Sequence, residues 1–148
     1  MTHVPPVQPV QDPYLPVPLE RAKVSDVMRV GLVTCRPETP VSDVARMMIA
    51  YGIHSVIVAG LDEEEGERDW GVVSDLDLAT AALSDRRDEL TAREIASTEL
   101  VTIKSDEPLE RAAQLMAEHQ VAHLVAVQPE TGQPVGVIGT LGLARALI

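Results

Sequence analysis

The sequence contains two copies of one pattern, and this duplication restricts the possible folds more than any other feature. Residues 32–34 (Leu-Val-Thr) recur at residues 100–102, an offset of 68 (100 − 32), and residues 53–58 align with residues 121–126 at the same offset. The offset falls to 65 (136 − 71) where residues 71–73 (Gly-Val-Val) meet residues 136–138 (Gly-Val-Ile). The offset holds at apolar positions and at turn positions, so the sequence contains an internal duplication.

Each copy predicts the element order β-α-β-β-α, preceded by a short helix at residues 24–28 or 92–95. Apolar residues at positions 41, 44, 45 and 48 follow helical spacing, with Thr39 as the predicted N-cap and Pro40 in the first turn. Continuous apolar runs predict buried strands at residues 32–35, 55–58 and 70–73, and again at 100–103, 124–127 and 135–138. The last helix begins near Asp75 in one copy and near Leu141 in the other.

A single copy is too small to bury its apolar helix face alone, so the two copies must pack together. The predicted fold is therefore α+β, with two β-α-β-β-α repeats packed as a pseudo-two-fold pair. We expect the repeats at residues 20–84 and 85–148. Residues 1–19 contain six of the eleven prolines and are expected to form an extended tail.

Charge and composition exclude several classes of partner. The formal net charge is −11, which disfavours nucleic acid and anionic membranes, because both attract basic surfaces. No apolar stretch approaches the ~20 residues that cross a bilayer, and the N-terminus lacks the pattern of a secretory signal. Cys35 is the only cysteine, so no intrachain disulfide forms. A cytoplasmic protein is the expectation.

The junction after residue 73 carries the chemistry that points to a ligand. Gly71 leaves room for close approach of a ligand, and a helix that begins directly after a strand presents N–H groups to a phosphate. Ser74 caps that helix and offers a hydroxyl to a phosphate or ribose, while Asp77 offers a carboxylate to both ribose hydroxyls. The alternative is an ordinary capping box, since Ser-x-x-Asp before an apolar run is also that motif.

The order of these motifs resembles the CBS (cystathionine-β-synthase) domain family over about residues 20–148. The matching residues are 24–28 (Val-Ser-Asp-Val-Met), 33–34 (Val-Thr), 38–41 (Glu-Thr-Pro-Val), 47–48 (Met-Met) and 71–78 (Gly-Val-Val-Ser-Asp-Leu-Asp-Leu). The resemblance implies a tandem pair that forms a homodimer through helix faces. It also implies clefts between the copies that bind AMP, ADP, ATP, S-adenosylmethionine or a related ligand.

Carried over by position, the resemblance assigns further residues to the cleft headed by Asp77. The backbone of Val101 and Thr102 would contact the adenine edge, and Val72 and Leu124 would flank the ring. His54 and His123 lie at or beside positions where relatives place basic partners of phosphate. The second copy departs from the pattern, because Gly139 replaces Ser74 and Gly142 replaces Asp77. We therefore predict one competent cleft.

The expected function is that of a stand-alone regulatory or sensor module that binds an adenosine-type nucleotide and requires no cofactor. An enzyme is not expected, since no nucleophile–base pair or glycine-rich phosphate loop is present. His119 and His123 have the i, i+4 spacing of a zinc pair, but the helix is predicted to end near Gln120, so no metal site is expected. The alternative function is a ligand-free dimerisation or partner-binding module with vestigial clefts, and the regulated protein is unknown.

Overall fold

The computed structural model describes residues 18–61 and 69–148, which form two compact units. The central unit comprises residues 31–100, and the terminal unit combines residues up to 30 with residues 101–148. Residues 1–17, which are most of the predicted tail, lie outside the described residues. So do residues 62–68, a segment rich in Asp and Glu. In chain order the elements are α1 (Val24–Val27), β1 (Thr34–Cys35), α2 (Val41–Tyr51), β2 (Ser55–Ala59), β3 (Trp70–Ser74), α3 (Asp75–Ala82), α4 (Ala92–Ile95), β4 (Thr102–Lys104), α5 (Leu109–His119), β5 (His123–Val127), β6 (Pro134–Gly139) and α6 (Thr140–Ala146).

Each unit contains one three-stranded sheet of the same topology. In the central unit β1 pairs in parallel with β2, and β2 pairs antiparallel with β3. In the terminal unit β4, β5 and β6 repeat this order and these directions. The predicted α+β class, with two copies of β-α-β-β-α, is confirmed.

Aliphatic side chains from the sheet and one long amphipathic helix form the core of each unit. In the central unit Val44 and Met48 of α2 pack with Val56, Val58 and Val73. The corresponding core of the terminal unit uses α5 and the sheet β4–β6, and its members include Ile103, Leu109, Leu124 and Ile138. Burial of these side chains supplies the main stabilising free energy, at about 25 cal/mol per Å² of apolar surface.

The short helices α1 and α4 are exchanged between the sequence repeats. Helix α1 belongs to the terminal unit, where the Val24 amide donates to the Glu107 carbonyl (2.9 Å) and the Val24 side chain is fully buried. Helix α4 belongs to the central unit, where the Ala92 amide donates to the Thr39 carbonyl (2.8 Å). The compact units therefore do not coincide with the sequence repeats at residues 20–84 and 85–148.

Gly71 makes room for the segment that follows α4. A Cβ built on Gly71 would lie 2.8 Å from the carbonyl oxygen of Ser97. Beside it, the Val72 amide donates to the Ser97 carbonyl (3.0 Å) and the Ser97 amide donates to the Val72 carbonyl (2.9 Å). The expectation that Gly71 leaves room for a ligand is therefore wrong, because the backbone of its own unit fills that space.

Gly136 has the same role in the terminal unit. A Cβ there would lie 2.9 Å from the Arg29 carbonyl oxygen and 2.8 Å from the Met28 sulfur. The Arg29 amide donates to the Val137 carbonyl at 2.8 Å, and the Val137 amide donates back at 3.0 Å. Both repeats therefore use a glycine to admit the backbone that follows a short helix.

The start of α2 differs from the sequence expectation, whereas the end of α5 near Gln120 agrees with it. The N-cap of α2 is Pro40, not Thr39, whose hydroxyl instead accepts from the Arg36 amide at 3.2 Å. Helix α2 ends at Gly52 with φ 61°, and α5 ends at Gln120 with φ 53°. Gln120 occupies the position of Gly52 in the second repeat and accepts the strain of a left-handed residue.

Candidate functional site

The junction of β3 and α3 holds the Asp77 carboxylate through Ser74. Asp77 Oδ2 accepts from the Ser74 amide (2.8 Å) and from the Ser74 hydroxyl (2.9 Å), and the Asp77 amide donates to Ser74 Oγ at 3.2 Å. These three bonds form a complete capping box, the alternative that the sequence left open. Both bonds to the carboxylate use Oδ2, and neither uses Oδ1.

The amide groups at the start of α3 are largely occupied by protein acceptors. The Asp75 amide donates to the His54 carbonyl at 3.0 Å, and the Asp77 amide is bound to Ser74. The carboxylates of Asp75 and Asp77 lie in the same first turn, where they complement the positive end of the helix. The expectation that this helix start offers a set of free N–H groups to phosphate is therefore wrong.

His54 contacts the first turn of α3 through both its backbone and its ring. Besides the carbonyl bond to the Asp75 amide, His54 Nδ1 lies 3.2 Å from Asp75 Oδ2. Both side chains are exposed. A contact between His54 and phosphate stays a prediction. In the structure the imidazole already contacts the Asp75 carboxylate.

A cavity of about 330 Å³ lies beside Asp77 in the central unit, between α3 and the segment containing α4. One face of α3 contributes Asp77, Thr80, Ala81 and Ser84, which are spaced i, i+3, i+4 and i+7. The opposite side is lined by Leu90, Glu94 and Ile95.

Six of these lining residues were not part of the sequence prediction. The helical spacing from Asp77 is a signal that identifies Thr80, Ala81 and Ser84. No sequence signal places Leu90, Glu94 and Ile95 there, because the repeat pattern assigns them to the second copy.

The same junction in the terminal unit has no comparable carboxylate or space. A Cβ on Gly142 would lie 3.0 Å from Ile138 Cδ1 and 3.3 Å from the Val27 carbonyl oxygen. Helix α1 therefore closes against α6 at the position that corresponds to Asp77. Gly139 caps α6 without a side-chain hydrogen bond.

His123 and Gly139 are complementary in size. They are paired across β5 and β6, as Ser55 and Ser74 are across β2 and β3. A Cβ on Gly139 would lie 3.1 Å from His123 Cδ2. The imidazole therefore lies over the glycine. Where the first repeat pairs two serines, the second repeat pairs a large side chain, His123, with a glycine.

The remaining predicted site residues are divided between the two units. Val72 is buried in β3, and both its amide and its carbonyl are bound to Ser97. In the terminal unit, Val101 packs against the core and Thr102 pairs with Val125. Leu124 is 1 % exposed and belongs to that core, so its side chain is committed to packing. Contacts of these residues with a ligand stay predictions.

Two further classes of feature are absent from the described part of the chain. No group of three or more His, Cys, Asp or Glu side chains in residues 18–61 and 69–148 is arranged to hold a metal ion. Within the same ranges, no helix has the length and apolar character needed to cross a bilayer.

Cys35 is buried, and this burial raises the pKa of its thiol. A hydrogen bond with Thr39 has a smaller effect in the opposite direction.

Comparison with known protein families gives two matches within this chain. The sequence model of the CBS domain matches residues 24–84 and residues 92–148. A CBS domain-containing protein of Bacillus subtilis, YhcV, is 31 % identical over 124 residues, which cover 83 % of this chain and 84 % of that protein. An uncharacterized protein of Methanopyrus kandleri is 25 % identical over 122 residues; the match covers 81 % of this chain but 60 % of the archaeal protein.

Solved structures of CBS domain pairs have the same fold. The CBS domain pair of protein MJ0100, in complex with 5′-methylthioadenosine and S-adenosyl-L-methionine, gives a TM-score of 0.70 at 21 % identity. That match covers 85 % of this chain and 95 % of the other. The protein CBSX2 in complex with AMP gives 0.69 at 23 % identity, with 84 % and 95 % covered.

Proposed function

The chain belongs to the CBS domain family, and on this premise we propose that it is a regulatory module that binds one adenosyl compound per chain. The observation that carries the proposal is the fixed Asp77 carboxylate beside a cavity of the central unit. The ligands named for the similar domain pairs are AMP, 5′-methylthioadenosine and S-adenosylmethionine, all of which contain adenosine. We assign the module no catalytic step.

Asp77 is the proposed acceptor for the ribose hydroxyls. Its free oxygen, Oδ1, is oriented because Ser74 holds Oδ2 with two hydrogen bonds. The Ser74 hydroxyl proton is used in this contact, so we assign Ser74 to positioning Asp77 and not to contacting phosphate. Charge-assisted hydrogen bonds of this kind contribute about 1.5–3 kcal/mol each.

The sequence-based prediction assigns residues of the terminal unit to the same ligand, and we keep these contacts as part of the proposal. Val101 and Thr102 are assigned to the adenine edge, and His123 to the phosphate of a ligand that carries one. His54 and Val72 of the central unit are assigned to the same ligand, with Leu124 as the least exposed of the set. Since Gly142 leaves no space beside Val27, the second repeat is assigned no ribose contact.

Thermal unfolding with a panel of adenosyl compounds tests this function. A ligand at ~100 times its Kd adds about 2.7 kcal/mol to the free energy of unfolding, which raises Tm by roughly 8 °C for a chain of this size. We expect such a shift with at least one of S-adenosylmethionine, 5′-methylthioadenosine, AMP, ADP or ATP at millimolar concentration, and none with GMP. If no adenosyl compound shifts Tm, the ligand-free dimerisation or partner-binding module replaces this proposal.

The proposed partner is a second copy of the chain, bound through exposed leucines on equivalent helices. Leu76 of α3 and Leu141 of α6 occupy the same position in the two repeats and are 72 % and 75 % exposed. Leu83 and Leu147, at the ends of these helices, are exposed as well. We assign these leucines to an association surface because large exposed apolar side chains recur at equivalent positions of both repeats.

We expect the double variant Leu76→Glu/Leu141→Glu to sediment as a monomer under conditions where the unmodified chain sediments as a dimer. The new glutamates would remove the apolar contact with the second copy. They would also repel the same glutamates on that copy. Val30→Glu is the control, because Val30 is also exposed but lies outside these helices. Monomeric behaviour of the unmodified chain, or a dimer that survives the double change, would exclude this interface.

A further inference from the structure

The cavity beside Asp77 is acidic. Two of its seven lining residues carry carboxylates, Asp77 and Glu94. In the described part of the chain, no Lys, Arg or His lines this cavity. Asp75, which does not line the cavity, carries a further carboxylate in the first turn of α3. The chain as a whole carries a net charge of −11, so the long-range field has the same sign.

Arg86 and His54, two basic residues beside these carboxylates, already contact acidic side chains. Arg86 Nη2 lies 3.5 Å from Glu94 Oε2, and Arg86 Nε lies 3.4 Å from Glu89 Oε2. His54 faces Asp75. A phosphate that contacted Arg86 or His54 would have to displace a carboxylate from it.

The backbone offers a phosphate little compensation. Two of the first three amides of α3 donate to His54 and Ser74, and the positive end of the helix is covered by its own carboxylates. Binding of anions at helix starts depends on free N–H groups and on an uncompensated dipole, and both are reduced here.

We propose that this site selects adenosyl compounds whose 5′ substituent is cationic, such as the sulfonium of S-adenosylmethionine, over phosphorylated adenosine. The inference rests on the proposed function, because it takes the ribose at Asp77 as given. From there the 5′ substituent extends along the acidic cavity, and its positive charge replaces Arg86 as the partner of Glu94, while Arg86 keeps Glu89. Adenosine di- and triphosphates are disfavoured by the same carboxylates.

Calorimetric titration with matched ligands tests the charge preference. S-adenosylhomocysteine has the same skeleton as S-adenosylmethionine without the methyl group and its positive charge. We expect S-adenosylmethionine to bind about tenfold more tightly, the effect of one carboxylate at a few ångströms in a partly solvated site. ATP should bind most weakly. Raising the salt concentration should weaken binding of the cation and leave S-adenosylhomocysteine nearly unchanged.

Glu94→Gln is the matched variant. Glutamine keeps an oxygen for the contacts with the Thr91 amide and hydroxyl, both at 3.3 Å, so the start of α4 is preserved. We expect it to reduce the preference for S-adenosylmethionine over S-adenosylhomocysteine several-fold. Glu89→Gln removes the same charge from the other partner of Arg86, outside the cavity lining, and should leave the ratio unchanged.

The outcomes separate the two proposals. Tighter binding of AMP or ATP than of S-adenosylmethionine, or a ratio that Glu94→Gln does not alter, overturns the charge preference and leaves an adenosyl site in place. If neither sulfur compound nor any adenosine phosphate binds, the proposed function itself fails.

Discussion

Replacing Gly71 with alanine is expected to lower the free energy of unfolding by about 3 kcal/mol, or Tm by roughly 10 °C for a chain of this length. The added methyl group would lie 2.8 Å from the Ser97 carbonyl oxygen and 3.1 Å from Leu61 Cδ1. A backbone oxygen cannot rotate away, so the segment after α4 must move and strain its two hydrogen bonds with Val72. Thermal and urea unfolding measure the loss.

Gly139→Ala is the matched control for this substitution. Its new methyl group would also be close to a neighbour, at 3.1 Å, but that neighbour is the His123 ring, which can turn about its χ angles. We expect a change within about 1 kcal/mol. Equal losses for the two variants would show that glycine at position 71 does not serve the approach of Ser97.

Replacing Asp77 with alanine is expected to weaken binding of the adenosyl ligand by roughly 100-fold, as two charge-assisted hydrogen bonds are lost. The same change removes the partner of the Ser74 amide and hydroxyl, which costs about 1 kcal/mol of stability. Titration calorimetry measures the first effect and thermal unfolding the second. Because one substitution causes both the loss of affinity and the loss of stability, a second variant is needed to separate the two effects.

Ser74→Ala provides that separation. It removes the helix cap, so it should cost a similar amount of stability, but it leaves the Asp77 carboxylate in place. We expect its loss of affinity to stay below about tenfold, the effect of one neutral hydrogen bond. If Ser74→Ala and Asp77→Ala weaken binding equally, Asp77 acts only through the capping box and the ribose contact is excluded.

The elements of both repeats were predictable because their signals are local. Helical spacing of apolar residues identified α2, the duplication identified its counterpart α5, and continuous apolar runs identified β2 and β3. The spacing of Ser74 and Asp77 likewise indicated, as the alternative to ligand binding, the capping box that the structure contains. Each of these features depends on residues within one or two turns of the chain.

The exchange of α1 and α4 was not predictable in the same way, because it depends on contacts between distant parts of the chain. The Val24 amide donates to the carbonyl of Glu107, which lies 83 positions away (107 − 24), and no repeat pattern reports such a contact. The reason for glycine at position 71 is also long-range, since it depends on Ser97. Glu94 and Ile95 were not assigned to the site for the same reason.

The central claim is that each chain holds one adenosyl ligand at Asp77, and the stoichiometry of binding tests it most directly. The compound that gives the largest thermal shift is titrated calorimetrically into the unmodified chain and into Asp77→Ala. We predict one ligand per chain for the first and no measurable binding at the same concentrations for the second. Two ligands per chain, or an affinity of Asp77→Ala within a few-fold of the unmodified chain, would contradict the claim.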